Sequence, residues 1–506
     1  MSRTKKSAIN SSVGIVVAVV NSLLSFALNA VFIRLLGLEY AGINSLFASI
    51  LNLLNIADLG ISNAILFRLY KKIANDDQDG ICLMLTTYKR ICYAVAGIIL
   101  VAGICCIPFL GDLVKEKPTF PETLWSLFII VLATSVVTHA FDYTRQMLTA
   151  KQDQYINTIV NYIFKFLTSG LQILVLFVYK DIYLFLIIAF VTTIAKYITY
   201  SIISRKKYHV LWNSTQHLSK PERKDLIKDT GSLAVYKLCR TLDATIDTFL
   251  IAKFVAVSTT AIYGSVLIII TFLEECFGNI NDGMLASIGD LNARGEKEGV
   301  SKAFYQSMHF TYLVFGIITV TLVPILSPLV QWWIGYTLDD VCIYVMILNF
   351  FMGIFGCHVA VFRNSIGIFI QGWKRPIFTA ILNLVFSLWL VTKIGLLGTL
   401  LGTTIARVLT THWYDPMLVC KHGFKEKPFK YYIQFILYIA IVSSIAYLMI
   451  FINKVLPPMH TFIDIIWHAF IIGTAAAIIV FSTGFLFPEQ KPLIKRIFGL
   501  VKKQTK

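Results

Sequence analysis

Apolar stretches of some twenty residues, each closed by a short polar segment, follow one another along the whole chain. A run of about 20 apolar residues crosses a bilayer as a helix. About fourteen such helices are predicted, near 12–33, 43–66, 82–106, 122–142, 156–178, 182–203, 231–252, 260–288, 303–329, 341–362, 377–391, 398–419, 433–452 and 463–487. The first has a long apolar core with no small-residue cleavage pattern behind it, so it reads as a retained helix rather than a leader. The expected class is an all-α integral membrane protein.

The seventh run breaks the pattern. "GSLAVYKLCRTLDATIDTFLIAKF" (231–254) carries Lys237, Arg240, Asp243 and Asp247. At 100° per residue these four fall within an arc of about 120°. Each charge at mid-membrane costs roughly 2.5–3.5 kcal/mol on an insertion scale, so four facing lipid would cost on the order of 10 kcal/mol. The stripe must therefore face protein or water. Two readings are open: an internal salt-bridge set that fastens helices together, or the lining of a hydrated cavity. Other charges at comparable depth favour the cavity. Lys165 and Arg407 sit near the centres of their runs, Glu274 and Glu275 near the centre of theirs, and Asp58 and Asp282 in two more polar stretches.

Composition sharpens the class. Of 506 residues, 57% are hydrophobic and 14% charged, with a mean hydropathy of +0.72. A water-soluble fold does not bury so much apolar surface. The net charge of +17 raises nucleic acid as a partner, but its placement points elsewhere. With the N-terminus placed inside, 31 of the 45 Lys and Arg fall on the inner side, 7 on the outer and 7 within helices. That asymmetry is the positive-inside pattern, and it puts both termini in the cytoplasm. The basic surface is thus a topology signal with some attraction for anionic lipid heads, and no aromatic–basic nucleic-acid platform accompanies it.

The remaining chemistry is sparse. The nine cysteines, at 82, 92, 105, 106, 239, 276, 342, 357 and 420, form no CxxC and no metal-ligand spacing. The Asp-Gln-Asp at 77–79 lies in a short turn, and no phosphate-binding GxxxxGK[ST] is present. No catalytic residues, metal or cofactor are expected. The longest inner loop, 204–230, is basic and polar, and the longest outer one runs from about 107 to 121, so neither side holds room for a catalytic domain. His139, His309, His358 and His468 read as packed, hydrogen-bonded side chains, and Trp332 and Trp333 as interface anchors. Pro324 and Pro328 are expected to kink the ninth run.

Polar positions echo across the chain. Ser22, Ser25 and Asn29 fall 218 residues before Arg240, Asp243 and Asp247; Asn161 falls 222 before Asn383. The near-constant offset predicts two parallel six-helix repeats followed by a helix pair. The expected division is a first lobe at 1–205, a linker at 206–230, a second lobe at 231–420, and a terminal pair with a basic tail at 421–506.

Two stretches carry a resemblance. "FIRLLGLEYAGINSLFASILNLLNIADLGISNAILFRLY" (32–70) and "GWKRPIFTAILNLVFSLWLVTKIGLLGTLLGTTIARV" (372–408), the latter with Asn383, Gly395, Gly398 and Thr403, resemble bacterial polysaccharide flippases of the Wzx type. These belong to the multidrug/oligosaccharidyl-lipid/polysaccharide exporter superfamily. The resemblance implies a MATE-like two-lobe bundle around a central cavity in the bacterial cytoplasmic membrane. It implies transfer of undecaprenyl-diphosphate-linked oligosaccharide units from the inner to the outer leaflet, by a monomer working beside membrane lipids, glycan polymerases and glycosyltransferases. On that expectation Arg240, Lys237, Lys165 and Arg407 meet the pyrophosphate, while Asp243, Asp247, Asp58, Glu274, Glu275 and Asp282 hold those cations or a coupling ion. A drug antiporter of the same superfamily, a lipid II flippase and a membrane-embedded glycan enzyme are the rival readings.

Overall fold

The computed structural model describes residues 3–55, 61–116, 118–208, 214–216, 218–219, 222, 238–368, 372, 374–484 and 487. These residues are almost entirely helical. In chain order the helices are α1 (Arg3–Leu36), α2 (Leu38–Leu54), α3 (Ile61–Ala74), α4 (Gln78–Cys106), α5 (Leu124–Phe141), α6 (Gln146–Ala150), α7 (Gln154–Val178), α8 (Ile182–Tyr208) and α9 (238–250). There follow α10 (Val257–Ala293), α11 (Lys297–Ile334), α12 (Asp340–Ser365), α13 (Arg375–Ile394), α14 (Leu396–Leu409), α15 (Thr411–Leu418), α16 (Phe429–Val455) and α17 (Phe462–Gly484).

Eleven of the described helical segments are long and apolar enough to cross a membrane, and α2 is a shorter apolar helix. The described part of every expected apolar run is largely helical, and one run is broken: 398–419 divides at Thr410 between α14 and α15. Of 43–66 the described parts lie in α2 and α3, and of 231–252 they are α9 and the start of the π-turn Ile251–Val255. Fourteen spans are therefore not established by the eleven. Large apolar side chains remain uncovered on the helix exteriors, among them Val455 (88% exposed), Ile463 (76%) and Phe67 (73%), as lipid-facing surfaces require.

The described residues pack as two compact units: Phe26–Ala261, and Ile262–Lys506 together with Met1–Ser25. In the first, α4 packs on α3 and α5, α5 on α8, and α7 on α8. Its core includes Ile65, Leu69, Leu85 and Tyr88. In the second, α11 packs against α12, α16 and α17. At 38 residues α11 is about 57 Å long, well beyond the hydrocarbon thickness. It runs through Pro324 and Pro328 as one helix. The segment 206–230, expected as a linker, lies mostly outside the described residues.

The α13–α14 hairpin accounts for the residues of the second quoted stretch. Gly395 turns the chain at φ +61°, a conformation that favours glycine. A Cβ at Gly398 would lie 2.2 Å from Leu390 O, and one at Gly402 2.3 Å from Ser387 Oγ, so the two helices meet backbone to backbone. In that contact Asn383, fully buried, accepts from Ser387 Oγ at 2.8 Å and Thr403 Oγ1 at 3.1 Å. The Asp77 of the Asp-Gln-Asp turn is the N-cap of α4: its carboxylate accepts from Gly80 N and from Lys72 Nζ, both at 2.8 Å.

Candidate functional site

The sequence-derived charges are divided between the two units. In Phe26–Ala261, α9 carries Arg240 exposed, Asp243 half-buried and Asp247 only 6% exposed, so the stripe sinks into protein along the helix. Lys165 is half-buried midway along α7 in the same unit. Lys237 and Asp58 lie outside the described residues. In the other unit Glu274 and Glu275 are exposed on α10, and Arg407 is half-buried in the last turn of α14. Asp282 lies in α10, with its side chain outside those described.

A polar cavity of about 300 Å³ opens inside the first unit, among residues that were not expected as a binding site. It is built on the turn after α5. There the chain tightens into a 3₁₀ turn, Asp142–Arg145, in which side chains three apart eclipse one another. Asp142 and Arg145 are so stacked, and Arg145 Nε donates to Asp142 Oδ1 at 2.6 Å. Tyr88 of α4 donates to the other carboxylate oxygen at 2.9 Å. Two bonds seat the turn: Thr144 Oγ1 donates to Phe141 O at 2.8 Å, and Ser204 of α8 donates to Thr144 O at 2.6 Å.

The walls mix polar and apolar groups: Ile91, Cys92 and Val95 from α4, Thr138 and His139 from α5, Asn161 from α7, and Tyr197 and Tyr200 from α8. His139 Nδ1 bonds Ser135 O at 2.9 Å, and Tyr200 donates to Asn157 O at 3.0 Å. The surroundings are cationic. Lys196 lies over the Tyr197 ring at 5.1 Å and within Coulombic range of both Arg145 and Asp142. Lys89 sits 5.8 Å from the Tyr143 ring, and Arg205 acts on the same tyrosine from the end of α8. Lys165 follows Asn161 by one turn on the same face of α7. Tyr88, Tyr197 and Tyr200 lie about 15 Å of helix from the ends where α4 begins and α8 stops, so the cavity reaches inward from the basic end of the unit. Such a chamber suits an anion with polar appendages.

The second unit holds a closed ionic cluster. Arg363 Nη1 donates to both oxygens of Asp415 at 3.1 Å, and Arg375 Nε lies 3.1 Å from Oδ1 at an angle that makes an ion pair rather than a hydrogen bond. Arg375 Nη1 donates to Thr411 Oγ1 at 2.9 Å. Asp415 is 1% exposed, and the Arg363 and Arg375 side chains are 7% and 13% exposed. The four histidines are packed groups: beside His139, His309 bonds Tyr438 at 2.6 Å, His358 bonds Ser307 at 2.8 Å and His468 bonds Asn453 at 2.9 Å. Of the two tryptophans, Trp332 is exposed and stacks on Phe462, whereas Trp333 is 4% exposed and belongs to the core rather than to an interface.

The lone signal for the cavity was Asp142 and Arg145 three apart at the end of an apolar run. Asp142 closes the predicted run 122–142 and Arg145 falls in the segment after it, and nothing in the sequence joins the two. Lys89 and Lys196 stood out as cations within helices, but nothing in the spacing joined them.

Residues 7–275 match the family model described as polysaccharide biosynthesis protein. Among solved structures, the chain is similar to the lipid II flippase MurJ in an inward closed conformation, at 12% identity and a TM-score of 0.69, over 95% of this chain and 99% of that one. It is similar to a multidrug resistance MATE family transporter of the MOP superfamily in an inward-facing conformation, at 14% identity and 0.62, over 85% and 98%. It is similar too to a MOP superfamily transporter from Pyrococcus furiosus whose binding pocket is described as of reverse polarity, at 13% identity and 0.55, over 83% and 97%. The fold is that of these transporters. A search of the curated proteins finds no significant match.

Proposed function

The chain belongs to the polysaccharide biosynthesis protein family, and from that premise we propose that it is a flippase for lipid-linked glycan. Its cargo on this reading is an oligosaccharide unit on undecaprenyl diphosphate, moved from the inner to the outer leaflet of the bacterial cytoplasmic membrane by alternating access and driven by an ion gradient. The observation that supports it most is the family match over residues 7–275, in a chain with eleven described helices fit to span a bilayer.

The physical task is to carry a diphosphate through a medium that repels charge. Cations on membrane-spanning helices lower that barrier, and arginine adds a two-pronged donor for phosphate oxygens. Arg240, Lys237, Lys165 and Arg407 are assigned to the head group. Asp243, Asp247, Asp58, Glu274, Glu275 and Asp282 neutralise them when no cargo is bound, or take the coupling ion. The lipid tail stays in the bilayer. No covalent step is assigned to the chain, and it acts as a monomer that hands its cargo to a glycan polymerase.

The test is a deletion strain complemented with wild type or Arg240→Asp. Wild type is expected to restore surface glycan, and the variant to leave lipid-linked units at the inner leaflet. Unchanged surface glycan in the deletion strain refutes the function; normal display with Arg240→Asp refutes that residue's role.

A further inference from the structure

We propose that the cavity behind the Asp142–Arg145 turn is a binding site for a phosphate or diphosphate ester, with Arg145 and Lys196 as its anion-binding groups. The proposal rests on the flippase reading for its cargo, but on local geometry for the site. Asp142 takes the Nε edge of Arg145 at 2.6 Å, and no described residue bonds the two terminal nitrogens. A guanidinium gripped in this way is fixed in orientation and still offers its terminal N–H pair, the edge that meets two phosphate oxygens at once. The Asp142 carboxylate is satisfied on both sides, by Arg145 on Oδ1 and Tyr88 on Oδ2. It therefore serves as a brace for the arginine rather than as a competing open charge.

The second cation is placed by an aromatic ring. Lys196 rests 5.1 Å from the centroid of Tyr197, which lines the cavity. Among the described lining residues Asp142 is the one carboxylate, already bonded to Arg145 and Tyr88, and Lys89 and Arg205 lie nearby, a balance that favours an anion. Asn161 and Thr138 add neutral hydrogen-bonding groups of the kind that meet sugar or ester oxygens, and Ile91 and Val95 present an apolar wall. The volume of about 300 Å³ is that of a small-ligand pocket. At about 15 Å of helix from the basic end, it lies where a lipid head group drawn in from that leaflet would first leave water.

The same chemistry fits a lipid-linked diphosphate and a free phosphate anion, and the experiment separates them. The full chain in phosphatidylcholine nanodiscs is titrated with farnesyl diphosphate and with inorganic pyrophosphate. Farnesyl diphosphate binding the tighter assigns the site to a lipid-linked head group, while equal affinities assign it to the free anion. Arg145→Gln is expected to weaken binding roughly 10- to 100-fold. Lys196→Gln, which leaves the Asp142–Arg145 pair intact, is expected to weaken it about 5-fold. Ile91→Trp fills the chamber without altering a charge and is expected to abolish binding. Absence of binding by the wild type, or wild-type affinity in both Lys196→Gln and Ile91→Trp with unchanged melting temperatures, overturns the site. Glycan display by complementation is read separately. Restored display without probe binding removes the site and spares the flippase reading; probe binding without restored display does the reverse.

Discussion

Neutralising Asp415 is expected to be among the most damaging single changes to the second unit. The carboxylate is 1% exposed and lies between two arginines whose side chains are 7% and 13% exposed. Asp415→Asn keeps the shape, removes the charge and leaves both guanidinium groups buried without compensation. Removing one partner of a buried pair typically costs about 3–5 kcal/mol. In a unit of this size each kcal/mol moves the melting temperature by about 2–4 °C, so a fall of roughly 6–20 °C is expected. The control is Asp290→Asn. The Asp290–Arg294 pair is shorter, at 2.7 Å, but its side chains are 60% and 64% exposed. Water screens it, and the expected loss is at most about 0.5 kcal/mol. Unfolding in detergent is followed with a thiol-reactive dye, since Cys342 and Cys420 are buried in the same unit and react only when it opens. Replacing the whole cluster with apolar side chains, Arg363→Met, Arg375→Met and Asp415→Leu, is expected to recover most of the loss, because the desolvation penalty then disappears with the charges. A melting temperature for Asp415→Asn within 2 °C of wild type, or as large a drop for Asp290→Asn, would refute the reasoning.

Other expectations follow from single contacts. Gly402→Ala puts a methyl 2.3–2.4 Å from Ser387 Oγ and N, so the hairpin must part, at about 1–3 kcal/mol; Gly353→Ala meets nothing within 4 Å and is expected to be neutral or to stabilise by up to about 1 kcal/mol, both read as melting temperatures. Asn383→Leu removes the oxygen that accepts from Ser387 Oγ and Thr403 Oγ1 in a sealed contact and is expected to lower the melting temperature, whereas Asn161→Leu, on an exposed face, is expected to leave it unchanged. The Asp77 cap is pH-dependent in a fixed sense. Lys72 and Gly80 N–H hold its carboxyl below the ordinary 3.8, so its contribution is present at neutral pH and lost as pH falls through the lowered value. Protection of Gly80 N–H, taken as the ratio of intrinsic to observed exchange at each pH, is expected to fall below that point in wild type and to be already low at neutral pH in Asp77→Ala.

The sequence made the elements legible where one physical term dominates. Apolar runs mark helix because a bilayer leaves few alternatives, and Gly395 and Gly398 stand in the second quoted stretch for reasons the fold supplies: a positive φ at Gly395 and a backbone contact with Leu390 O at Gly398. It was silent where a feature depends on residues far apart. Asp415 and Arg363 are 52 positions apart and meet only through the packing of α12 on α15. The break at Thr410 carries no glycine or proline to announce it. Asp142 and Arg145 are close in sequence, yet their meaning comes from Tyr88, Lys196 and Tyr197 on two other helices. Periodicity along one helix reports which face is polar; it does not report what that face encloses.

The offset of 222, on which two repeats were expected, pairs positions with different surroundings. Asn161 and Lys165 on α7 correspond to Asn383 and Ser387 on α13. On α13 the pair is closed in: Ser387 donates to Asn383 and to Thr399 O at 3.1 Å, and Gly402 lies against its backbone. Space there is so short that a lysine in place of Ser387 would force the hairpin apart. On α7 the corresponding asparagine is exposed, lines a cavity and is followed one turn later by the half-buried Lys165. The pattern Asn-x-x-x-polar thus serves helix packing in one unit and wall chemistry in the other. Two positions at the same offset can carry different chemistry, because the cost of a buried cation depends on the space and counter-charge around it rather than on its place in a sequence pattern. By that reasoning a cation is tolerated at Lys165 and excluded at Ser387, and Ser387→Lys should prevent folding where Lys165→Ser merely removes a charge.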